Sequence, residues 1–145
     1  MQESGIVVGL CGCDACQAAL RYAICEARWR GCRLIVVVAY GETRSSAAAG
    51  AGAASEDLAA EAEATARRCL ELAGTTTPLD GLDSQVVTRE MLPVDALAAA
   101  AQNADAMVVG RHHGQPAAGK PVGTTTRHLV DHSPIPVISV PRGYE

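Results

Sequence analysis

Two groups of residues in this sequence have the types and the spacing to do chemistry. The first is a run of three cysteines, Cys11, Cys13 and Cys16, which follows a short apolar segment near the N-terminus. Thiolates bind soft metals and are the reactive form of cysteine in redox chemistry. The second is the segment 110–125, where glycines, threonines and cationic side chains lie between apolar runs. That mixture is typical of a site for an anion.

The segment 110–125 has the features of a phosphate site. Gly110 ends an apolar run, and Gly123 directly precedes Thr124 and Thr125 at the start of a predicted helix. Backbone N–H groups are unpaired at such a start and the helix dipole is positive there, so both favour an anion. Cationic side chains lie in or near the segment: Arg111, Lys120 and Arg127.

The cysteine cluster admits more than one interpretation. Cys16 falls on the apolar stripe of the following helix, which predicts a small core residue. Cys13 lies close to a helix N-terminus, where the pKa of a thiol is lowered, so it is the candidate reactive group. A metal site would need a fourth ligand at a recognisable spacing, and none is evident. A thiol-based redox or metal sensor that uses Cys11, Cys13 and Cys16 therefore stays an alternative hypothesis.

Length and composition exclude several classes of protein. The 145 residues predict one domain, 1–145, that folds without a disulfide or a metal. The net charge is −4 and no basic stripe is present, which argues against nucleic-acid binding. The N-terminus has neither a basic start nor a long apolar run, so we predict no signal peptide and no membrane span. A cytoplasmic location follows as an expectation.

Apolar runs and helical patterns alternate along the chain. Five runs predict strands, at residues 5–10, 32–40, 83–90, 104–109 and 135–140. Four helices are predicted between them, from Asp14 to about residue 30, Ser55 to about residue 73, Pro93 onward, and Thr124 to about residue 132. The segment 41–54, rich in Gly, Ala and Ser, is predicted to be a flexible loop.

This alternation predicts a doubly wound α/β domain. A five-stranded parallel sheet with strand order 3-2-1-4-5 would lie between helices on both faces, as an α/β/α sandwich. Ligands bind such sheets at the carboxyl ends of the strands, where the strand order reverses. The glycine-marked turns after the first and fourth strands would then face one crevice.

The C-terminal run GRHHGQPAAGKPVGTTTRHLVDHSPIPVISVP resembles the signature of the universal stress protein family. The first strand, the strand before Gly110 and the Pro93 helix start also fit that family. The resemblance implies a homodimer that forms through the last strand, from Ile135 to Val140. In part of the family it also implies ATP binding through G-x2-G-x9-G-[ST], together with an Asp near the end of the first strand.

On that pattern this sequence keeps the outer positions and changes two others. Gly110 and Gly123 stand at the full spacing, but His113 takes the place of the second glycine and Gly114 follows one residue late. Cys11 takes the place of the Asp. A His adds bulk where backbone must approach a phosphate, and a thiol cannot replace a carboxylate acceptor.

The resemblance and the anion-site features together give a set of expected contacts. The phosphate-binding residues would be Gly110, Arg111, His113, Gly114, Gly123, Thr124 and Thr125. The adenine and ribose pocket would be formed by Val8, Gly9, Leu10, Cys11 and Val38. ATP with Mg²⁺ is the expected ligand; no catalytic residue or metal ligand is predicted, so any hydrolysis would be slow. The alternative is a dimeric interaction module that binds no nucleotide and presents this loop to an unknown protein partner.

Overall fold

The computed structural model of the protein describes residues 5–10, 14–40, 55–111 and 124–143. Five strands lie in this part of the chain: β1 Gly5–Gly9, β2 Arg33–Tyr40, β3 Ser84–Glu90, β4 Ala106–Gly110 and β5 Val137–Val140. The helices are α1 Asp14–Arg30, α2 Ser55–Gly74, α3 Pro93–Ala101 and α4 Thr124–His132. The predicted flexible loop 41–54 lies outside the described residues.

The five strands form one parallel sheet in the order β3-β2-β1-β4-β5. The predicted order is therefore confirmed. In the centre of the sheet Ile6 of β1 pairs with Leu34 of β2 on one edge and with Ala106 of β4 on the other. Since β1 and β4 run through the middle, their side chains are almost entirely buried.

The helices cover the two faces of the sheet, as expected from the alternation of elements. α1 and α2 pack on one face, and α3 and α4 pack together on the other. The predicted apolar stripe of α1 is buried throughout: Cys16, Ala19, Leu20, Ala23 and Ala27. Mostly small side chains at these positions let α1 approach the sheet closely, in a chain that contains no Phe.

The inner faces that helical spacing predicts for α2 and α3 are partly wrong. They are Leu58, Ala62, Thr65, Cys69 and Leu72 in α2, and Val94, Leu97, Ala98 and Ala101 in α3. Leu72 of α2 is 58% exposed, whereas Ala62 and Cys69 are buried as predicted, together with Ala66 and Ala73. In α3 the predicted inner residue Ala98 is exposed, whereas Ala96 is buried beside Leu97. Both helices are rich in alanine, which fits the inside and the outside of a helix almost equally well, so the sequence pattern indicates the facing direction poorly.

A glycine and a proline occupy special backbone positions at the end of α1 and the start of α3. Gly31 has a φ of +68° at the end of α1, and the N–H of Cys32 donates to the carbonyl of Ala27 (3.0 Å) to close the last turn. A residue with a side chain would be strained at that φ. Pro93 occupies the first turn of α3, where its missing N–H leaves no helical hydrogen bond unmade.

Several predicted strand boundaries were wrong by one or two residues. β4 begins at Ala106 rather than residue 104, because the N–H of Ala104 still bonds to the carbonyl of Ala101 at the end of α3. β5 begins at Val137 rather than residue 135, because a local turn is closed between the hydroxyl of Ser133 and the backbone of Ile135. Strands β1, β2 and β3 also start or end one residue inside the predicted limits.

In the part of the chain that the structure describes, every helix is too short or too polar to cross a bilayer.

The burial of α1 gives a test of the fold. Ile24 is fully buried and Trp29 is 86% exposed on the same helix. Replacement of Ile24 by Ala should lower the free energy of unfolding by about 2–5 kcal/mol, because it leaves a cavity between α1 and the sheet. Trp29→Ala is the matched control and should change it by less than about 0.5 kcal/mol. Urea unfolding followed by circular dichroism measures both; similar losses would contradict this orientation of α1.

Candidate functional site

The strand order reverses between β1 and β4. The chain continues from β1 to β2 and β3 on one side, and to β4 and β5 on the other. Val8 of β1 pairs with Val108 of β4, so the two strands are direct neighbours. The turns that follow them therefore leave the same edge of the sheet, and we call the space between these turns the crevice. This adjacency was predicted.

The loop after β4 starts from a fixed point. Gly110 is paired with Val140 of β5, and the backbone N–H of Arg111 donates to the carbonyl of Val140 (2.8 Å). The side chain of Arg111 is exposed. The β4–β5 ladder thus holds the backbone up to the first residue of the predicted phosphate loop and leaves one cationic side chain in solvent at the edge of the crevice.

α4 begins after this loop with its N-terminus on the side of the crevice. The helix leads from the carboxyl end of β4 to the amino end of β5, so its first turn lies near the carboxyl ends of the strands. Thr126 and Leu129 are 5% and 2% exposed, and their burial fixes α4 on the sheet. The end of α4 at which a helix has N–H groups without helical partners therefore lies where an anion is predicted.

Three residues predicted for the adenine and ribose pocket lie on the α1–α2 face of the sheet. Val8, Leu10 and Val38 are 0%, 6% and 5% exposed and belong to one core cluster. The N–H of Leu10 donates to the carbonyl of Val37 (3.0 Å), which brings Leu10 beside Val38 at the carboxyl ends of β1 and β2. Val8 has no exposed surface, so a ligand would meet Leu10 and Val38 first.

Gly9 lies against the opposite face. A Cβ added to Gly9 would come within 3.1 Å of both methyl carbons of Leu97 on α3, which is closer than side chains normally pack. Leu97 is 4% exposed and was predicted only as an inner residue of its helix. Its contact with the end of β1 is the feature that sequence reasoning missed. The available signal was that α3 otherwise has mostly small side chains.

The remaining predicted contacts cannot be placed in the site. Cys11, His113, Gly114 and Gly123 lie outside the described residues, together with Cys13 and Lys120. Of Thr124 and Thr125 the structure describes the helical backbone alone. These assignments therefore stay predictions.

The described cysteines divide by exposure. Cys16 and Cys69 are buried, Cys25 is exposed, and Cys32 is half-buried. Burial raises the pKa of the Cys32 thiol above its ordinary value, and the negative charge of Asp105 raises it further. Cys16 packs in the core, as predicted, so the thiol alternative depends on Cys11 and Cys13.

A metal site within residues 5–10, 14–40, 55–111 and 124–143 would need several ligating side chains to lie close together. No set of three or more His, Cys, Asp or Glu side chains there could hold an ion. His128 and His132 stack with ring centroids 4.3 Å apart, and Nδ1 of His132 lies 2.9 Å from the carbonyl oxygen of His128. That contact involves one of the last carbonyl groups of α4, so His132 has a structural role at the end of the helix.

The chain matches the model of the Universal stress protein family over residues 5–141. No curated protein is similar enough to this sequence to be counted as a relative.

Solved structures of that family share the fold. UspA from Lactobacillus plantarum is 23% identical with a TM-score of 0.68, and the match covers 97% of this chain and 99% of that chain. The universal stress protein from Archaeoglobus fulgidus in complex with dAMP is 24% identical with a TM-score of 0.65, over 97% and 99%. A universal stress protein in complex with cAMP is 22% identical with a TM-score of 0.69, over 97% and 98%.

The exposure of the cysteines predicts an order of reaction with a thiol reagent. In a variant with Cys11 and Cys13 replaced by Ser, Cys25 should react first at about pH 8. Cys32 should follow more slowly because its raised pKa leaves less thiolate, and its rate should rise more steeply with pH. Cys16 and Cys69 should react only after unfolding.

Absorbance of released thionitrobenzoate measures the phases. Cys25→Ser is the control and should remove the first phase alone. If the fast phase remains in that variant, the assignment of exposure on α1 is wrong.

Proposed function

The chain belongs to the universal stress protein family, and on this premise we propose that it is a cytoplasmic regulatory protein that binds an adenine nucleotide in the crevice. The observation that carries the proposal is the direct pairing of β1 with β4. It makes the turn after β1 and the loop between Gly110 and α4 leave the same edge of the sheet. A ligand there can contact both at once.

The chemistry at this edge supports a ligand with a phosphate and an apolar base. The start of α4 supplies N–H groups and the positive end of a helix dipole, and Arg111 adds an exposed cation. Leu10 and Val38 form an apolar wall on the other side of β1. The complexes of two structural neighbours contain dAMP and cAMP, both adenine nucleotides, which supports this ligand class. ATP with Mg²⁺ is the proposed physiological form.

We assign the site a binding role rather than a catalytic one. The residues described at the edge of the crevice are Leu10, Val38, Gly110 and Arg111. None of these four has a side chain that could act as a general base near pH 7. On this assignment any hydrolysis of a bound ATP would be slow, and the nucleotide would act on the conformation of the protein or on its partners.

The protein is further proposed to form a homodimer through β5. Among the strands of the described residues, β5 pairs with β4 on one side and with none on the other. The carbonyl groups of Pro136 and Val140 accept hydrogen bonds from the N–H groups of Met107 in β4 and of Arg111 directly after it. Since these groups alternate in direction along a strand, the N–H and carbonyl groups of Val137 and Ser139 point outward. An open strand edge of this kind can pair with a second copy.

Restoring the two altered family positions should strengthen nucleotide binding. His113→Gly removes a side chain where backbone approaches phosphate, and we expect about tenfold tighter ATP binding. Cys11→Asp supplies a charged acceptor for the base or ribose and should add a similar gain. Isothermal titration calorimetry with ATP, with and without Mg²⁺, measures both.

The neighbouring substitution His112→Gly is the control, because it changes the same loop in the same way at a position outside the motif. It should alter the affinity by less than about twofold. The double variant carries both His113→Gly and Cys11→Asp. If neither the wild type nor this variant shows saturable binding at millimolar ATP, nucleotide binding is rejected and the alternative, an interaction module that binds no nucleotide, is favoured.

The dimer proposal predicts a mass of twice the monomer in sedimentation equilibrium. Ser139→Pro removes an outward N–H, and its ring blocks pairing along that edge, so it should shift the protein towards monomer. Ser139→Ala keeps the N–H and is the matched control, since the buried hydroxyl of Ser139 has no hydrogen-bond partner in the described structure. A dimer that is equally stable in both variants would exclude pairing through β5.

A further inference from the structure

A groove lies on the face of the sheet that α3 and α4 share, at the edge formed by β3. It arises because the helices cover β3 unequally. On the opposite face α2 packs on both β2 and β3, whereas α3 packs mainly on β2, β1 and β4. The side of β3 that faces α3 is therefore left open. The resulting groove, which we call the β3–α3 groove, has a volume of about 400 Å³.

The floor and one wall of the groove are apolar. Ile35 of β2 and Val87 of β3 form the floor, and both are half-buried. The wall is formed by Ala96, Ala99 and Ala100 of α3. Alanine side chains are too short to close the gap between α3 and β3, so the groove stays open. Its volume is in the range of small-molecule sites.

The polar residues of the groove are cationic or neutral. They are Arg33, Gln85, Arg89 and Asn103, and none of the nine lining residues is a carboxylate. The chain as a whole has a net charge of −4, so this concave surface differs in sign from the average of the protein. An anion therefore meets attraction here, although the protein as a whole carries a net negative charge.

The two arginines lie at opposite ends of the groove. Arg89 pairs in register with Ala39, and Arg33 stands on the same face of β2 six residues before Ala39. At the rise of a β-strand this separation is about 20 Å. The Nη2 atom of Arg33 lies 3.4 Å from a carboxylate oxygen of Asp83, so that end is partly neutralised.

Arg89 is the cation that remains for a ligand. Its Nη1 atom donates to the carbonyl of Thr88 (3.2 Å), and the side chain is exposed. In the described part of the chain Arg89 forms no ion pair with a carboxylate. A guanidinium has five donors in a planar fork and binds a carboxylate through two parallel hydrogen bonds, so most of its donors are still available.

We propose that the β3–α3 groove binds a small organic anion that has a carboxylate head and an apolar body. The carboxylate would pair with Arg89 at the carboxyl end of β3. The apolar body would lie on Ile35 and Val87, against the alanines of α3, and point towards Arg33. This site is separate from the nucleotide crevice and does not depend on the proposed function.

Decanoate is the probe, since it combines a carboxylate with an unbranched apolar chain. Calorimetry should give saturable binding of one decanoate per chain, and decanol should bind at least about tenfold more weakly because it lacks the charge. Arg89→Gln should weaken decanoate by about tenfold or more. Ala100→Leu should abolish binding by filling the groove, and leucine suits a helix as well as alanine does to within a few tenths of a kcal/mol.

Arg67→Gln is the matched control. It makes the same change of charge on α2, on the opposite face of the sheet, and it removes an exposed pair with Glu63. It should leave decanoate binding unchanged, and thermal unfolding should show that all three variants are folded. Excess ATP should not displace decanoate, which keeps this test distinct from that of the crevice.

Each of the following results would overturn the proposal. They are no saturable binding at millimolar decanoate, equal binding of decanol, an equal loss in Arg67→Gln, and undiminished binding in Ala100→Leu. Displacement by ATP would also overturn it, because the anion would then occupy the crevice.

Discussion

The burial of β1 is the constraint on which the rest of the structure depends. This strand is hydrogen-bonded to β2 on one edge and to β4 on the other, and its residues Ile6, Val7 and Val8 are fully buried. Val7 belongs to the core layer under α3 and α4, whereas Ile6 and Val8 belong to the layer under α1 and α2. A strand in this position has no face in contact with solvent. Residues that bind a ligand can therefore follow it only in the turn at its carboxyl end. The crevice begins there because it is the first point at which the chain leaves the core.

The small side chains of this core determine how closely the helices pack at both candidate sites. Alanine and glycine let helices approach the sheet closely, as where Gly9 meets Leu97. At the edge of the sheet, small side chains have the opposite effect. The alanines of α3 do not reach β3 there, so a groove remains between them. Close packing at the centre and incomplete packing at the edge thus have one origin in the composition. The crevice and the groove then differ in kind, because one is built from backbone and a helix start and the other from side chains on a sheet face.

Much of the fold could be predicted because local signals agree with one another. Strands with β-branched residues, the glycine at position 31 and the proline at position 93 each mark an element, and strict alternation leaves few possible strand orders. The orientation of α2 and α3 could not be predicted well, since alanine carries little periodic signal and Leu72 is apolar yet exposed. For the site, the adjacency of the two turns followed from the strand order. The contact of Gly9 with Leu97 and the groove beside Arg89 did not, because both depend on the path that a helix takes across the sheet.

The position of Trp29 has a practical consequence for spectroscopy. It is the only tryptophan of the chain, and at 86% exposure near the end of α1 its indole is already surrounded by water in the native state. Its emission maximum should therefore move little when the protein unfolds, and intrinsic fluorescence would report a nearly constant signal across a transition that removes the whole core. The same indole, however, is placed to respond when another surface covers it. In this protein, tryptophan fluorescence is a probe of contacts made at the outer end of α1 rather than of folding.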